Sequence, residues 1–267
     1  MIPNVLTLAG VDPSGGAGVF ADLKTFSALG AYGTGIVVAL TAQNTQSVTG
    51  VQLVPAAFVA HQIDTLFADV RIDAAKVGML ASAELVATVT EGLRRHKVHR
   101  LVIDPVMVSK SGHHLLQPDA VEALRRELFP LAEVVTPNLP EAGVLLGRAE
   151  PRSIAEMRTA ARDLLQFGAR YVLLKGGHLD AGESIDILDD GTTQIELRSP
   201  RIATRNTHGT GCTLSAAIAA LLPQRASTTE AVRDAKTYLT SAIAAADQLS
   251  VGHGHGPVHH FHALWPS

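Results

Sequence analysis

The segment Asn206-Thr207-His208-Gly209-Thr210-Gly211-Cys212 runs straight into a helical pattern carrying Leu214 and Ala217. Glycines at 209 and 211 permit a tight turn in which successive backbone N–H groups point at one spot. A helix starting there adds roughly half a positive charge, so Gly209, Thr210 and Gly211 read as an anion hole. The other reading is an ordinary Gly-containing helix cap. A Walker A loop is excluded, because no Gly-Lys-Ser/Thr follows. Cys212 falls in the first turn of this helix, where the dipole is expected to lower the thiol pKa from ~8.5. A thiolate there would serve as a base toward a substrate hydroxyl; the alternative is a small buried hydrophobe.

Lys175-Gly176-Gly177 follows an apolar run at 171–174. A lysine at a strand's C-terminal end, with glycines allowing close approach, either neutralises phosphate charge or simply faces solvent at a turn. Asp104, closing Val102-Ile103-Asp104-Pro105-Val106-Met107, either holds a hydrated Mg2+ or nucleotide, or makes an Asx turn before Pro105. Asn138 and Glu141 have the spacing of a helix cap, and Glu141 is equally a carboxylate that recruits Mg2+ through water beside nucleotide phosphates. At the front, Ala9-Gly10-Val11-Asp12-Pro13-Ser14-Gly15-Gly16-Ala17-Gly18 lacks the dinucleotide spacing Gly-x-Gly-x-x-Gly and suits the floor of a small-molecule pocket, with Asp22 one helical turn further on. Gln43 and Asn44, after the second strand, offer amides suited to a heteroaromatic edge. Five of the 12 histidines lie between 253 and 262. No carboxylate or cysteine accompanies them, so adventitious metal binding is expected there rather than a native site.

Elements that alternate along the chain must position these groups. Near-continuous apolar runs at 2–9, 35–40, 75–77, 100–103, 134–136 and 171–174 suit strands buried on both faces of a parallel sheet. Helical patterns lie near 17–29, 56–68, 82–95, 117–128 and 154–167; the last shows its period in Ile154, Met157, Ala161, Leu164 and Leu165. Ser153 with Glu156, and Ser227 with Glu230, have capping-box spacing. Runs at 184–188 and 194–197 flank Asp189-Asp190-Gly191, a hairpin signal that adds an antiparallel edge. Later, Leu214, Ala217, Ile218, Leu221 and Leu222 mark a helix stopped by Pro223, and another reaches about residue 249. The pattern predicts right-handed βαβ units in a three-layer αβα sandwich with a mostly parallel central sheet, a single domain over 1–267. Ligands of such sheets sit beyond the carboxyl ends of the strands, where the polar and glycine-rich segments fall.

Composition narrows the classes further. With 22 basic and 25 acidic side chains the formal charge is −3, which argues against a nonspecific nucleic-acid binder. The single cysteine excludes an intrachain disulfide and any multi-cysteine metal site. The longest apolar run, residues 36–40, is far short of the ~20 residues that span a bilayer, and the N-terminus shows no basic signal region. The expectation is a soluble, reduced, cytoplasmic protein.

Taken together and in order, the segments 9–18, 21–33, 41–45, 76–80, 104–107, 136–142, 175–178, 206–212 and 252–261 resemble the hydroxymethylpyrimidine/phosphomethylpyrimidine kinases of thiamine biosynthesis, within the ribokinase-like superfamily. The resemblance implies ATP-dependent, Mg2+-requiring phosphorylation of 4-amino-5-hydroxymethyl-2-methylpyrimidine to its monophosphate and then to its diphosphate. It places Gln43 on the aminopyrimidine, with Gly10, Asp22, Met79 and Val106 around the ring. Asp104, Asn138 and Lys175 would face the nucleotide, Glu141 the metal, and Cys212 the hydroxymethyl group beside the anion hole. Val11 departs from the pattern, because relatives commonly carry Ser or Thr there. Cys212 stands where other members of the superfamily place Asp. A homodimer is implied as well. Pyridoxal kinase activity is the alternative within the fold, and a non-catalytic pyrimidine-binding protein is the alternative outside enzymes.

Overall fold

In the computed structural model, which describes residues 1–107, 117–177, 179 and 182–265, the apolar runs pair into one nine-stranded sheet. The strands are β1 (Asn4–Val11), β2 (Tyr32–Gln43), β3 (Val48–Leu53), β4 (Ala74–Val77), β5 (Leu101–Ile103), β6 (Val134–Val135), β7 (Tyr171–Lys175), β8 (Glu183–Asp189) and β9 (Gln194–Pro200). They are ordered β3-β2-β1-β4-β5-β6-β7-β8-β9. The central strands from β2 to β7 are mutually parallel, and β3, β8 and β9 run antiparallel at the two edges.

Side-chain alternation along the central strands builds both interior layers. Leu6, Leu8, Leu101, Ile103, Val135, Val172 and Leu174 point to one face. There they meet α2 (Ala56–Phe67), α3 (Ala83–Arg95), α4 (Pro118–Ala123), α5 (Leu139–Leu146) and α6 (Ile154–Leu164). Val5, Val102, Val134 and Leu173 point to the other face, against α1 (Gly18–Ala28), α7 (Thr210–Leu221) and α8 (Thr228–Ala244). Both faces are therefore covered, which is why these strands read as continuous apolar runs.

Helix starts follow the local chemistry. Ser153 and Ser227 accept from the N–H groups of Glu156 and Glu230, both at 3.2 Å. The glutamates reach back to the N–H groups of Arg152 and Ala226, one residue beyond the N-cap that the expected box would bond. Only Asn138 and Glu141 close the full reciprocal box among the described helices.

Three boundaries differ from the sequence reading. The second strand extends to Gln43 and turns back as β3, through an Asx turn in which Asn44 Oδ1 accepts from the N–H groups of Gln46 and Ser47. Asn44 is thereby committed to the turn rather than to a ligand. The helix expected over 117–128 is α4 followed by a wider, π-type turn at Leu124–Leu128. The last long helix ends at Ala244, with a short 3-10 turn at Ala246–Gln248. Among the described residues, no helix is long and apolar enough to cross a membrane.

Candidate active site

Parallel strands place all their C-terminal ends on one edge of the sheet, and a cavity of about 570 Å3 opens there. That volume suits a small organic ligand, within the usual range of about 300–1,000 Å3. Gly10, Gln43, Met79, Val106, Asp104, Asn138, Glu141, Lys175, Gly209, Thr210, Gly211 and Cys212 all line it. Asp22 does not, and its expected place against the ring is corrected. It lies beneath the floor, fully buried, where its carboxylate accepts both bonds of Lys76 Nζ (3.0 and 2.8 Å) and one from Thr7 Oγ1 (2.6 Å). Lys76 is the group that reaches the cavity. Burial opposes its charge, yet Asp22, with Cys212 and Asp104, holds it above the ordinary lysine range.

Met79 packs closely on Gly10: a Cβ there would lie 2.9 Å from Met79 Cε and would push the methionine tip aside. Gln43 Oε1 accepts from Thr41 Oγ1 at 3.1 Å, which holds the amide in place. Val11, Val106 and Met107 complete an apolar surround.

The part of the cavity around Lys175 is charged. Lys175 Nζ lies 2.9 Å from Asp104 Oδ1, and Thr136 and Ser215 hydroxyls also donate to that carboxylate. Burial works against the Lys175 charge, but Asp104 and Glu141 hold it above its usual pKa. The cap reading of Asn138 and Glu141 is seen directly. Asn138 Oδ1 accepts from the Glu141 N–H (2.9 Å) and Glu141 Oε2 from the Asn138 N–H (2.8 Å), yet both residues face the cavity. Burial, reinforced by Asp104, pushes Glu141 up from 4.5 to about 7, against the pull of Lys175.

At the start of α7, Gly209 adopts φ +75° without any side-chain cap. A Cβ on Gly211 would sit 3.3 Å from Lys175 Nζ, so the first turn of α7 lies directly beside that ammonium. Cys212 departs from expectation. Burial, with Asp22 and Asp104 adding to it, pushes the thiol up to about 11, although Lys76 and the Gly18 N–H favour the thiolate. In this site desolvation and nearby carboxylates outweigh a helix dipole of half a charge.

Residues 252–257, at the start of the histidine-rich tract, form a strap. Gly254 and His255 donate from their N–H groups to Oγ1 (3.1 Å) and the carbonyl (3.0 Å) of Thr45, and Gly256 donates to Asn206 Oδ1 (3.1 Å). Among the described residues no group of three or more metal-ligating side chains converges anywhere. Sequence reasoning also gave no role to Lys76, Asp12 or His208, all of which line the cavity. A lysine inside the buried run Ala74-Ala75-Lys76-Val77 was the available signal, since such a charge needs a partner. His178, part of the matching segment 175–178, lies outside the described residues.

A three-layer α/β fold whose strand-end cavity joins an apolar wall (Val11, Val106, Met107) to Lys175, Asp104, Glu141 and the glycine-rich start of α7 defines a small-molecule kinase. The family described as phosphomethylpyrimidine kinase matches residues 12–259, and the chain belongs to that family. It is 53% identical to the hydroxymethylpyrimidine/phosphomethylpyrimidine kinase of Escherichia coli over 98% of both chains. A phosphomethylpyrimidine kinase structure from Clostridium difficile overlays with a TM-score of 0.80 at 42% identity, covering 90% of this chain and 99% of that one. The pyridoxal kinase of Staphylococcus aureus, solved with AMP-PCP and pyridoxal, overlays with a TM-score of 0.89 at 36% identity, over 98% and 94% of the two chains.

Proposed function

We propose that the chain transfers the γ-phosphoryl group of ATP to 4-amino-5-hydroxymethyl-2-methylpyrimidine, and then a second one to the monophosphate, in thiamine biosynthesis. The observation that carries this reading is that Cys212 lines one cavity together with Gln43, Gly209, Thr210 and Gly211. Gln43 reads the aminopyrimidine edge, while Gly10, Met79 and Val106 hold the ring. Asp104, Asn138 and Lys175 face the nucleotide, and the anion hole receives the migrating phosphoryl group. Asp22 contributes by holding Lys76 at the cavity.

Mg2+ fits the donor chemistry present. Glu141 and Asp104 are buried carboxylates beside a single lysine, and burial, with a smaller push from Asp104, holds Glu141 above its usual pKa despite Lys175. Two carboxylates plus phosphate oxygens and water are what a hard cation that dehydrates reluctantly prefers. Bound there, it would neutralise charge on the β- and γ-phosphates.

The first transfer requires the substrate hydroxyl to lose a proton. The resting thiol is itself protonated at neutral pH, so Cys212 takes the hydroxyl proton only as a thiolate, after its own proton has passed to solvent. Lys76 and the Gly18 N–H are the groups that favour that thiolate. Phosphoryl transfer passes through a loose transition state, so positioning and charge neutralisation outweigh full deprotonation of the nucleophile. The same reading takes the chain as a homodimer working in the cytoplasm, folded as one unit.

The likeness to pyridoxal kinases favours pyridoxal as the competing substrate. A coupled ADP-release assay across hydroxymethylpyrimidine, its monophosphate and pyridoxal tests the proposal. The highest kcat/KM is expected for the two pyrimidines; a preference for pyridoxal, or binding without ADP release, would overturn it.

A further inference from the structure

His208 is gripped from two sides. Its ring Nε2 lies 2.7 Å from Oδ2 of Asp12, with both side chains buried. An ionised carboxylate only accepts, so the ring donates. On the other side, the His208 backbone N–H donates to the Gly256 carbonyl at 3.0 Å, in the C-terminal strap. The next residue is Gly209, where the anion hole begins.

Asp12 is fixed independently of the histidine. Its Oδ1 accepts from the N–H and the hydroxyl of Ser14 (2.9 and 2.7 Å), and its Oδ2 also accepts from the Ala17 N–H (3.0 Å). Burial opposes the charge, but His208 and Ser14 hold Asp12 below the usual carboxylate range. The two loops also touch directly. A Cβ on Gly209 would collide with the Gly16 carbonyl oxygen, and one on Gly16 with the His208 ring. The glycine-rich loop after β1, the anion-hole loop and the strap therefore meet at one residue.

Nothing inside α7 can do that residue's work. Gly209 sits at φ +75° with no side chain, and no side-chain cap holds the first turn. Beyond the helix ladder, in which Thr213 N–H donates to the Gly209 carbonyl at 2.8 Å, the loop entering α7 is held by the contacts of His208. Amides that stabilise developing charge do so only when aimed at the right point, and a displacement of about 1 Å can cost on the order of 100-fold in rate.

We propose that His208 is a positioning residue for phosphoryl transfer, braced by Asp12 through its ring and by Gly256 through its backbone so that the amides of Gly209, Thr210 and Gly211 converge on the transferred group. Neither Asp12 nor His208 exchanges a proton with substrate in this role. The inference rests on the kinase reading above.

His208→Gln keeps a donor nitrogen within reach of Asp12, whereas His208→Leu fills similar space without one. Steady-state kinetics of both phosphorylations, read beside Tm, tests the difference. For His208→Leu, kcat is expected to fall about 10–100-fold in both steps. Its KM for the pyrimidine should stay within about twofold, and His208→Gln should recover most of the loss. Adding Asp12→Ala to His208→Leu should cost less than it costs alone, because both remove one brace. Should His208→Leu fail to fold, His208→Asn replaces it, its shorter amide stopping short of Asp12. Unchanged kcat in the donor-less variant, or equal losses in the Gln and donor-less variants, would overturn the inference while the kinase reading stands. A wild-type protein that phosphorylates none of the three substrates would overturn both.

Discussion

Lys76 and Asp22 form a two-point ion pair, Nζ to Oδ1 at 3.0 Å and to Oδ2 at 2.8 Å, with neither side chain exposed at all. The pair joins β4 to α1 under the ring end of the cavity and sets a fixed cation near Cys212. A charge at this depth is tolerated only because its counter-charge and the Thr7 hydroxyl meet it.

Removing one member strands the other. Asp22→Leu or Lys76→Met should each lower unfolding stability by about 3–5 kcal/mol, the range for an uncompensated buried charge. Urea denaturation with a common m-value checks this. The double variant should be more stable than either single one, because it buries no orphan charge. Additive losses in the double variant would show that the pair is not coupled.

The parallel sheet was legible because burial on both faces leaves a direct trace, as in Leu6, Leu8, Val102 and Leu173. The cavity residues were legible because glycines and polar groups sit where such strands end. β3 was not, because Val48–Leu53 is a half-exposed edge strand carrying Gly50 and so gives neither a continuous nor a cleanly alternating pattern. Asp22 was misplaced because helical spacing says which face a residue takes, and its real partner, Lys76, is 54 positions away. The thiol was misjudged for a related reason. A helix start is visible in sequence, but the desolvation and the carboxylates of Asp22 and Asp104 that oppose it come together only in the fold. In the strap, glycine is required by contact rather than by metal chemistry, since a Cβ on Gly254 would collide with the Thr45 carbonyl.

Glu141 should give the metal-free protein a recognisable pH dependence. Its pKa rises from 4.5 to about 7 on folding. Over that window the folded state keeps a proton that the unfolded chain has released, so stability falls as pH rises from about 4.5 to about 7. Glu141→Gln removes the cause while retaining an acceptor for the Asn138 N–H. Urea midpoints measured without magnesium across this window should fall for wild type and stay flatter for the variant, which should be the more stable above neutrality. A wild-type slope no steeper than the variant's would refute the assignment.

Cys212 is the only cysteine, so alkylation by iodoacetamide reports on it alone. With the thiol pushed up to about 11, only about a thousandth is thiolate near pH 8, and reactivity follows the thiolate. The alkylation rate of the unliganded protein should therefore climb about tenfold per pH unit through the neutral and mildly alkaline range without levelling. A plateau below about pH 9 would mean that the helix start, not burial, governs the sulfur.

The two phosphorylations should respond differently to loss of that sulfur. In the first, the nucleophile is a neutral hydroxyl that must give up a proton. In the second it is a phosphate oxygen already carrying negative charge, with no proton to remove. Base assistance is typically worth about 10²–10⁴-fold, and it is available only to the first step. Cys212→Ala should therefore slow transfer to the hydroxymethyl compound by a factor in that range and transfer to its monophosphate by much less, with binding of both pyrimidines retained. Single-turnover measurements on each substrate separate the steps from product release. Equal slowing of both would mean that Cys212 shapes the anion hole and takes no proton.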